Sequence, residues 1–341
     1  MIQLSVLDQS PVREDGDASQ ALAETLELAR HAESLGYARF WVSEHHSFNG
    51  LAGSAPEVLL GALGQTTNTI RIGSGGIMLP HYSAFKIAEV ASLLACLFPG
   101  RVDLGLGRAP GTDMISARAL AIDGKPRFEQ FPQQIHALQE MLHNKNFQPP
   151  VRPQPSEPAA LWMLGSSGES AALAAQRGIP YNFALFINGD IDRHILDEYR
   201  RHFVPSIHCD QPATCLSVNV MCADSEEQAF YLARSREVTM LQFFQGKPSK
   251  GIMSPERAAS IELSPQEEAF IAARQQFAAI GTPEQVREKL LLLAQAFNAD
   301  ELMAVTITHN FAARKRSYQL LAETFDLRAS NHKQNFRSPL K

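Results

Sequence analysis

Residues 39–46 read Arg39-Phe40-Trp41-Val42-Ser43-Glu44-His45-His46. The first four form a short apolar run of the kind that makes a buried β-strand. Glu44, His45 and His46 follow where that strand hands over to a loop. A carboxylate beside two imidazoles on such a rigid mount offers proton donors and acceptors near neutral pH. The plain alternative is a pair of surface or supporting histidines, so the surroundings must decide.

Working outward, strand-like and helix-like segments alternate along the chain. Strands are predicted over 3–8, 39–42, 70–75, 102–107, 161–164, 181–184, 216–223 and 301–306. Helices are predicted over 18–34, 56–65, 84–98, 128–142, a stretch ending at Arg177, 190–202, 225–243, 283–297 and 312–325. Gly36 closes the first helix. Ser225 and Thr282 cap two later ones, with Glu226, Glu227 and Glu284 in their first turns. Strands that each lead into a helix define an α/β chain with a parallel sheet and helices outside. Eight such units point to a closed (β/α)8 TIM barrel. The competing open dinucleotide-binding sheet lacks its GxGxxG after the first strand. Residues 149–158 are a proline-rich connector. Gly246, Pro248, Gly251, Pro255 and Pro265 mark 246–265 as an inserted loop segment. Residues 1–330 are read as one barrel domain and 331–341 as a C-terminal tail.

The composition, 45% hydrophobic and 20% charged over 341 residues, suits a folded enzyme. A net charge of -5 gives no basic nucleic-acid face, so a small molecule is the expected partner. No apolar run is long enough to span a bilayer. The N-terminus lacks the regions of a signal peptide, and Cys96, Cys209, Cys215 and Cys222 form no CxxC pair. A cytoplasmic location is the expectation. Cys96, on an apolar helix face, is expected in the core.

Active sites of such barrels sit at the C-terminal ends of the strands, which places Glu44, His45 and His46 on the working face. Strand three ends Gly73-Ser74-Gly75-Gly76, where missing side chains let a backbone or a flat ligand approach; a tight turn is the plain alternative. Strand four ends in Arg108, suited to a phosphate and equally to a salt bridge with Asp113. After strand five, Gly165-Ser166-Ser167-Gly168-Glu169-Ser170 opens a helix. Its free N–H groups and the Ser166, Ser167 and Ser170 hydroxyls suit an anion, and simple N-capping by Ser166 or Ser167 is the competing reading. No P-loop lysine is present.

These segments resemble the bacterial luciferase-like, flavin-dependent monooxygenases over about residues 1 to 327, and most closely their uncharacterised single-subunit members. The carrying motifs are Ser43-Glu44-His45-His46, Gly73-Ser74-Gly75-Gly76-Ile77-Met78-Leu79-Pro80 and Gly100-Arg101-Val102-Asp103-Leu104-Gly105-Leu106-Gly107-Arg108. Gly165–Ser170, Ala174-Ala175-Gln176-Arg177-Gly178 and Gly281-Thr282-Pro283-Glu284-Gln285-Val286 add to them. The resemblance implies reduced FMN as cosubstrate, supplied by a flavin reductase, and O2 activation through a flavin hydroperoxide to oxidise a small organic substrate. It implies that His45 assists catalysis with Glu44 orienting it, that Arg108, Ser167 and Ser170 hold the flavin phosphate, and that Gly75-Gly76 form a cis peptide under the ring. A homodimer through the apolar helix 84–98 is expected, with 246–265 as a lid.

Departures limit what carries over. Gly107 stands where true luciferase has a reactive cysteine, and Ser166 aligns with its loop-anchoring glutamate. Light emission and aldehyde specificity are therefore not expected properties. The competing functions are a deazaflavin-dependent oxidoreductase, a non-catalytic flavin-binding protein and a metal-dependent hydrolase. Adjacent Glu44, His45 and His46 lack helical zinc-motif spacing, so no metal site is assigned. His309, after the last strand, is read as structural.

Overall fold

A computed structural model of the chain describes residues 2–121, 123–187, 192–247 and 250–328. Nine strands are described: β1 (Gln3–Asp8), β2 (Arg39–Val42), β3 (Arg71–Met78), β4 (Val102–Gly107), β5 (Ala160–Gly165), β6 (Tyr181–Ala184), β7 (Thr214–Cys222), β8 (Ala279–Gly281) and β9 (Glu301–Val305). Every pairing among them is parallel. β1 to β6 pair in sequence order, β6 pairs β7, β7 pairs β9, and β9 returns to β1. That circuit closes the (β/α)8 barrel. The short β8 pairs only β7, at Val220 to Cys222, and so lies outside the ring.

Two kinds of core fill the barrel. Between strands and helices lies an aliphatic layer that includes Val6, Leu28, Ile72, Leu104 and Leu302. Inside the ring, Leu7, Trp41, Trp162, Cys215 and Met303 pack together. Trp41 meets Trp162 edge to face at 5.3 Å. Gly73 makes room for them, because a Cβ there would lie 2.5 Å from the Trp41 ring. The β3–β4 register shifts between Ser74 and Ile77, where Ser74 Oγ both donates to Gly105 O and accepts from Gly105 N. Below, at the N-terminal end, Arg39 pairs with Asp103 and Glu301, both at 2.8 Å.

The helix ends follow their local chemistry. Gly36 terminates Ala18–Leu35 in the left-handed region, at φ 90, a conformation that costs glycine no Cβ clash. Ser225 caps Glu226–Phe244, and Thr282 and Gln285 form a capping box on Pro283–Ala296. The inserted segment 246–265 falls between β7 and β9 and is more ordered than its prolines suggest. Ser254 and Pro255 start a helix, Pro255–Ser260, and Pro265 occupies the first turn of another, Pro265–Gln275. Proline at N1 starts helices rather than breaking them. Ile252 bridges Arg13 and is buried in the barrel-interior cluster. The tail 331–341, the start of the helix expected over 190–202, and Lys247's neighbours 248–249 lie outside the described residues. No helix among the described residues is long and apolar enough to cross a membrane.

Cys96 corrects the expectation of a core position, since it is exposed. Ile87, Ala88, Ala91, Leu94 and Ala95 form the buried stripe of Ala84–Leu97. The outward face carries Leu93 and Leu97, each about half exposed at 50% and 53%.

Candidate active site

After β2 the side chains pair at two-residue spacing, the interval that sets side chains on one side of an extended chain. Residues 43 and 45 therefore share one side, and 44 and 46 the other. Ser43 Oγ lies 3.1 Å from His45 Nδ1, and Glu44 Oε1 lies 2.8 Å from His46 Nε2. Glu44 thus does not orient His45, as the sequence suggested; the alternation assigns it to His46. Glu44 is fully buried. Its carboxylate also accepts from Tyr82 OH at 2.9 Å and from Met78 N–H at 2.9 Å. Burial, and then the Glu44 carboxylate, pushes the Tyr82 phenol well above its ordinary range. The His46 ring stands edge-on to His81, which is fixed on Pro110 O at 2.8 Å.

His45 lines a cleft of about 400 Å³ at the C-terminal mouth of the barrel. The cleft is walled by Phe48, Leu51, Gly75, Met240 and Phe243, and Arg236 and Arg274 also line it. Burial, reinforced by His46, lowers the His45 pKa to about 4. Its imidazole is therefore neutral at physiological pH, with Nδ1 held by Ser43.

Gly75 and Gly76 are joined by a cis peptide. Neither has room for a side chain. A Cβ on Gly75 would meet Leu7 Cδ1 at 2.6 Å, and one on Gly76 would meet Gly105 O at 2.9 Å. Beyond them, Arg108 leaves the end of β4 and pairs with Glu169 at 2.8 Å, not with Asp113. Asp113 instead caps a helix, Met114–Leu120, between the strand and helix predicted over 102–107 and 128–142. Glu169 and Ser170 lie in the first turn of Gly168–Arg177, so the ends of β4 and β5 meet there. Ser167 is the N-cap, yet its side chain makes no capping bond. Ser170 Oγ lies 2.8 Å from both Ser167 O and Tyr181 OH. Ser166 sits in the same loop. His309 bonds Asp15 at 2.8 Å, a contact between the loops after β9 and β1.

The family model of the luciferase-like monooxygenases matches residues 2–299. This chain belongs to that family. It is 48% identical over 331 residues to the uncharacterised protein YwcH of Bacillus subtilis, covering 95% of this chain and 99% of that one. It is 37% identical to the N-acetyl-S-alkylcysteine monooxygenase of the same organism, covering 95% and 98%. Among solved structures, apo-MsnO8 superposes with a TM-score of 0.90 at 36% identity, over 96% of this chain and 99% of that one. More distant structures share the fold. One is the oxygenating constituent of the Pseudomonas putida 3,6-diketocamphane monooxygenase in complex with FMN, with TM-score 0.71, 17% identity and 95% and 97% covered. Another is an F420-dependent secondary alcohol dehydrogenase, with TM-score 0.68, 13% identity and 95% and 98% covered.

Proposed function

We propose that this oxidoreductase uses reduced FMN, delivered by a separate flavin reductase, and O2 to oxidise a small organic substrate in the cleft at His45. The observation that carries the reading is the meeting, at one barrel mouth, of neutral His45, the side-chain-free Gly75–Gly76 and the Arg108–Ser170 cluster. FMN fits these residues. Gly75 and Gly76 leave a floor where a planar ring approaches backbone closely. Arg108, the Ser167 and Ser170 hydroxyls, and the N–H groups that open Gly168–Arg177 suit its phosphate. Ser166 belongs to the same loop. Glu169 occupies Arg108 in this structure, but both partners are exposed, and such a pair is worth about 0–1 kcal/mol. A phosphate dianion is the stronger partner for Arg108.

When bound, reduced flavin supplies the oxygen-activating chemistry. The chain supplies the surroundings. His45, uncharged and oriented by Ser43, holds or accepts a proton at Nε2 facing the cleft. Glu44 acts at one remove by fixing His46 and Tyr82 against the backbone of Met78. Phe48, Leu51 and Phe243 keep water from the reacting atoms. Leu93 and Leu97 on the outward face of Ala84–Leu97 support a homodimer through that helix. Light scattering that finds a monomer at micromolar concentration overturns the dimer.

The test is oxygen uptake with reduced FMN across a panel of apolar organic substrates, with product counted per flavin oxidised. Substrate-dependent product is expected. Turnover with a reduced deazaflavin and no O2 consumption would replace this reading with a hydride-transfer one. Tight binding of oxidised FMN without turnover would reduce the protein to a flavin carrier.

A further inference from the structure

We propose that Arg236 and Arg274 form a carboxylate-binding subsite, so that the substrate is an apolar organic acid lying across the cleft toward His45. The inference rests on reading this cleft as the substrate site. Arg236 lies midway along Glu226–Phe244, which follows β7, and Arg274 near the end of Pro265–Gln275. Both line the cleft that His45 lines.

Among the described residues, no carboxylate forms an ion pair or hydrogen bond with either arginine. Among the described residues, Arg236 makes no hydrogen bond or ion pair, and its Nε is buried without a partner. The neighbouring Glu237 attracts Arg236 across space but makes no hydrogen bond to it, its Oε1 accepting instead from Gln275 Nε2 at 2.6 Å. Arg274 is fixed by its Nη2, which donates to Phe186 O at 3.2 Å and Ile187 O at 3.1 Å. Its guanidinium also stacks over Phe244 at 5.2 Å and Phe270 at 5.7 Å. These contacts position the charge but do not neutralise it.

A guanidinium withdrawn from water without an anion is unfavourable, and a second one beside it makes it worse. The effect is visible in Arg236, whose pKa falls to about 10 through burial first and Arg274 second. An anion bound between the two relieves both terms. A carboxylate matches the planar fork of guanidinium donors in a bidentate fashion. The rest of the cleft asks for hydrocarbon. Phe48 and Phe243 meet edge to face at 4.9 Å, beside Leu51, Met240 and Ile187. The geometry thus places an acid head at Arg236 and Arg274, and an apolar body against the phenylalanines. The subsite is separate from Arg108, which follows β4 and pairs with Glu169.

The test is calorimetric titration of the full chain, without flavin, by octanoate and by its neutral isostere octanamide. Wild type should bind octanoate about tenfold more tightly or better, the scale of one charge-assisted contact. Arg236→Gln and Arg274→Gln should each lose that preference while keeping octanamide affinity, and Arg236→Lys should retain part of it. No preference in the wild type, or a preference that survives both glutamine variants, overturns the proposal. If a glutamine variant fails to fold, the wild-type comparison and Arg236→Lys still decide. Oxidised FMN is titrated in parallel by fluorescence. If Arg236→Gln weakens FMN as much as Arg108→Ala does, the pair serves the flavin phosphate and the proposal falls. Failure of FMN to bind the wild type removes the flavin reading alone, because the octanoate comparison contains no flavin.

Discussion

The two ends of this barrel handle charge in opposite ways. At the N-terminal end, Arg39 Nε donates to both oxygens of Glu301, at 2.8 and 3.0 Å, and its Nη1 to Asp103 at 2.8 Å. Arg71 Nε reaches the other Asp103 oxygen at 2.9 Å, and Trp41 Nε1 adds a bond at 3.0 Å. Ser5 completes Glu301. Burial pushes the Asp103 carboxyl up, but Arg71 and Arg39 overcome it and hold it below the usual carboxylate range. Two arginines thus meet two carboxylates across β2, β3, β4 and β9. At the C-terminal end Arg108 pairs with Glu169 and Arg314 approaches Asp8 at 3.5 Å, but other charges are not matched this way. Glu44 is satisfied by a histidine, a phenol and an amide, and Arg236 and Arg274 face the cleft with no carboxylate on them. One end uses its charges to hold strands together, and the other leaves Arg236 and Arg274 for a ligand. That division is the functional asymmetry expected of the barrel fold.

The contrast breaks if a change at the working end acts through stability. His45→Ala should lower product formation by about 10²–10⁴-fold, the range for a positioned acid or base. Its urea midpoint should match wild type, and oxygen consumed without product should appear as hydrogen peroxide. A variant with wild-type product yield per reduced flavin removes His45 from the chemistry. The next largest effect belongs to the other end. Asp103→Asn removes the anion that buried Arg39 shares with partly exposed Arg71, and breaking such a buried pair costs about 3–5 kcal/mol. Urea unfolding measures it. A loss below about 1 kcal/mol would mean that the network is not what holds the strands.

A third change sharpens the comparison within the working end. Arg108→Ala should weaken FMN by about 1.5–3 kcal/mol, at the low end if Glu169 competes for Arg108 in the wild type. Riboflavin, which has no phosphate, should be unaffected. Fluorescence titration of both ligands reads the difference, and equal weakening of the two removes the phosphate role.

Much of this was legible in the chain because it is local. Gly36, Ser225 and Thr282 mark helix ends through backbone chemistry within a few residues. The barrel follows from alternation, and the barrel rule places His45 at its mouth. Other features depend on partners far along the chain. Tyr82 reaches Glu44 across 38 residues, and Glu169 reaches Arg108 across 61, so no local pattern announces either. Arg236 looks like any mid-helix arginine until the fold turns it toward the cleft. Two-residue spacing after β2 pairs Ser43 with His45 and Glu44 with His46, a pattern readable in the sequence. The inserted segment reads as loop because proline breaks helix interiors, whereas Pro255 and Pro265 sit where helices open.

The smallest expected effect is a flat line. The His45 pKa is lowered from its ordinary value of 6.5 to about 4, by burial and then by His46. The folded chain therefore releases a proton that the unfolded chain keeps between those values. By linkage, stability from this group is fully present above pH 6.5 and is lost as pH falls toward 4. The same shift keeps His45 neutral throughout the neutral range. With His45 as the cleft's proton acceptor, kcat/KM should vary by less than about twofold between pH 6 and 8 and fall only as the pH nears the lowered pKa. An ordinary histidine would instead put an acid limb near 6.5. Product formation measured from pH 4 to 8, for wild type and His45→Ala, separates the cases. A limb near 6.5 that vanishes in His45→Ala would mean that His45 titrates as an ordinary histidine, its neutral form still the active one. Below that pH the mouth of the barrel would carry one more cation, and the burial that sets His45 apart from a surface histidine would not govern its chemistry.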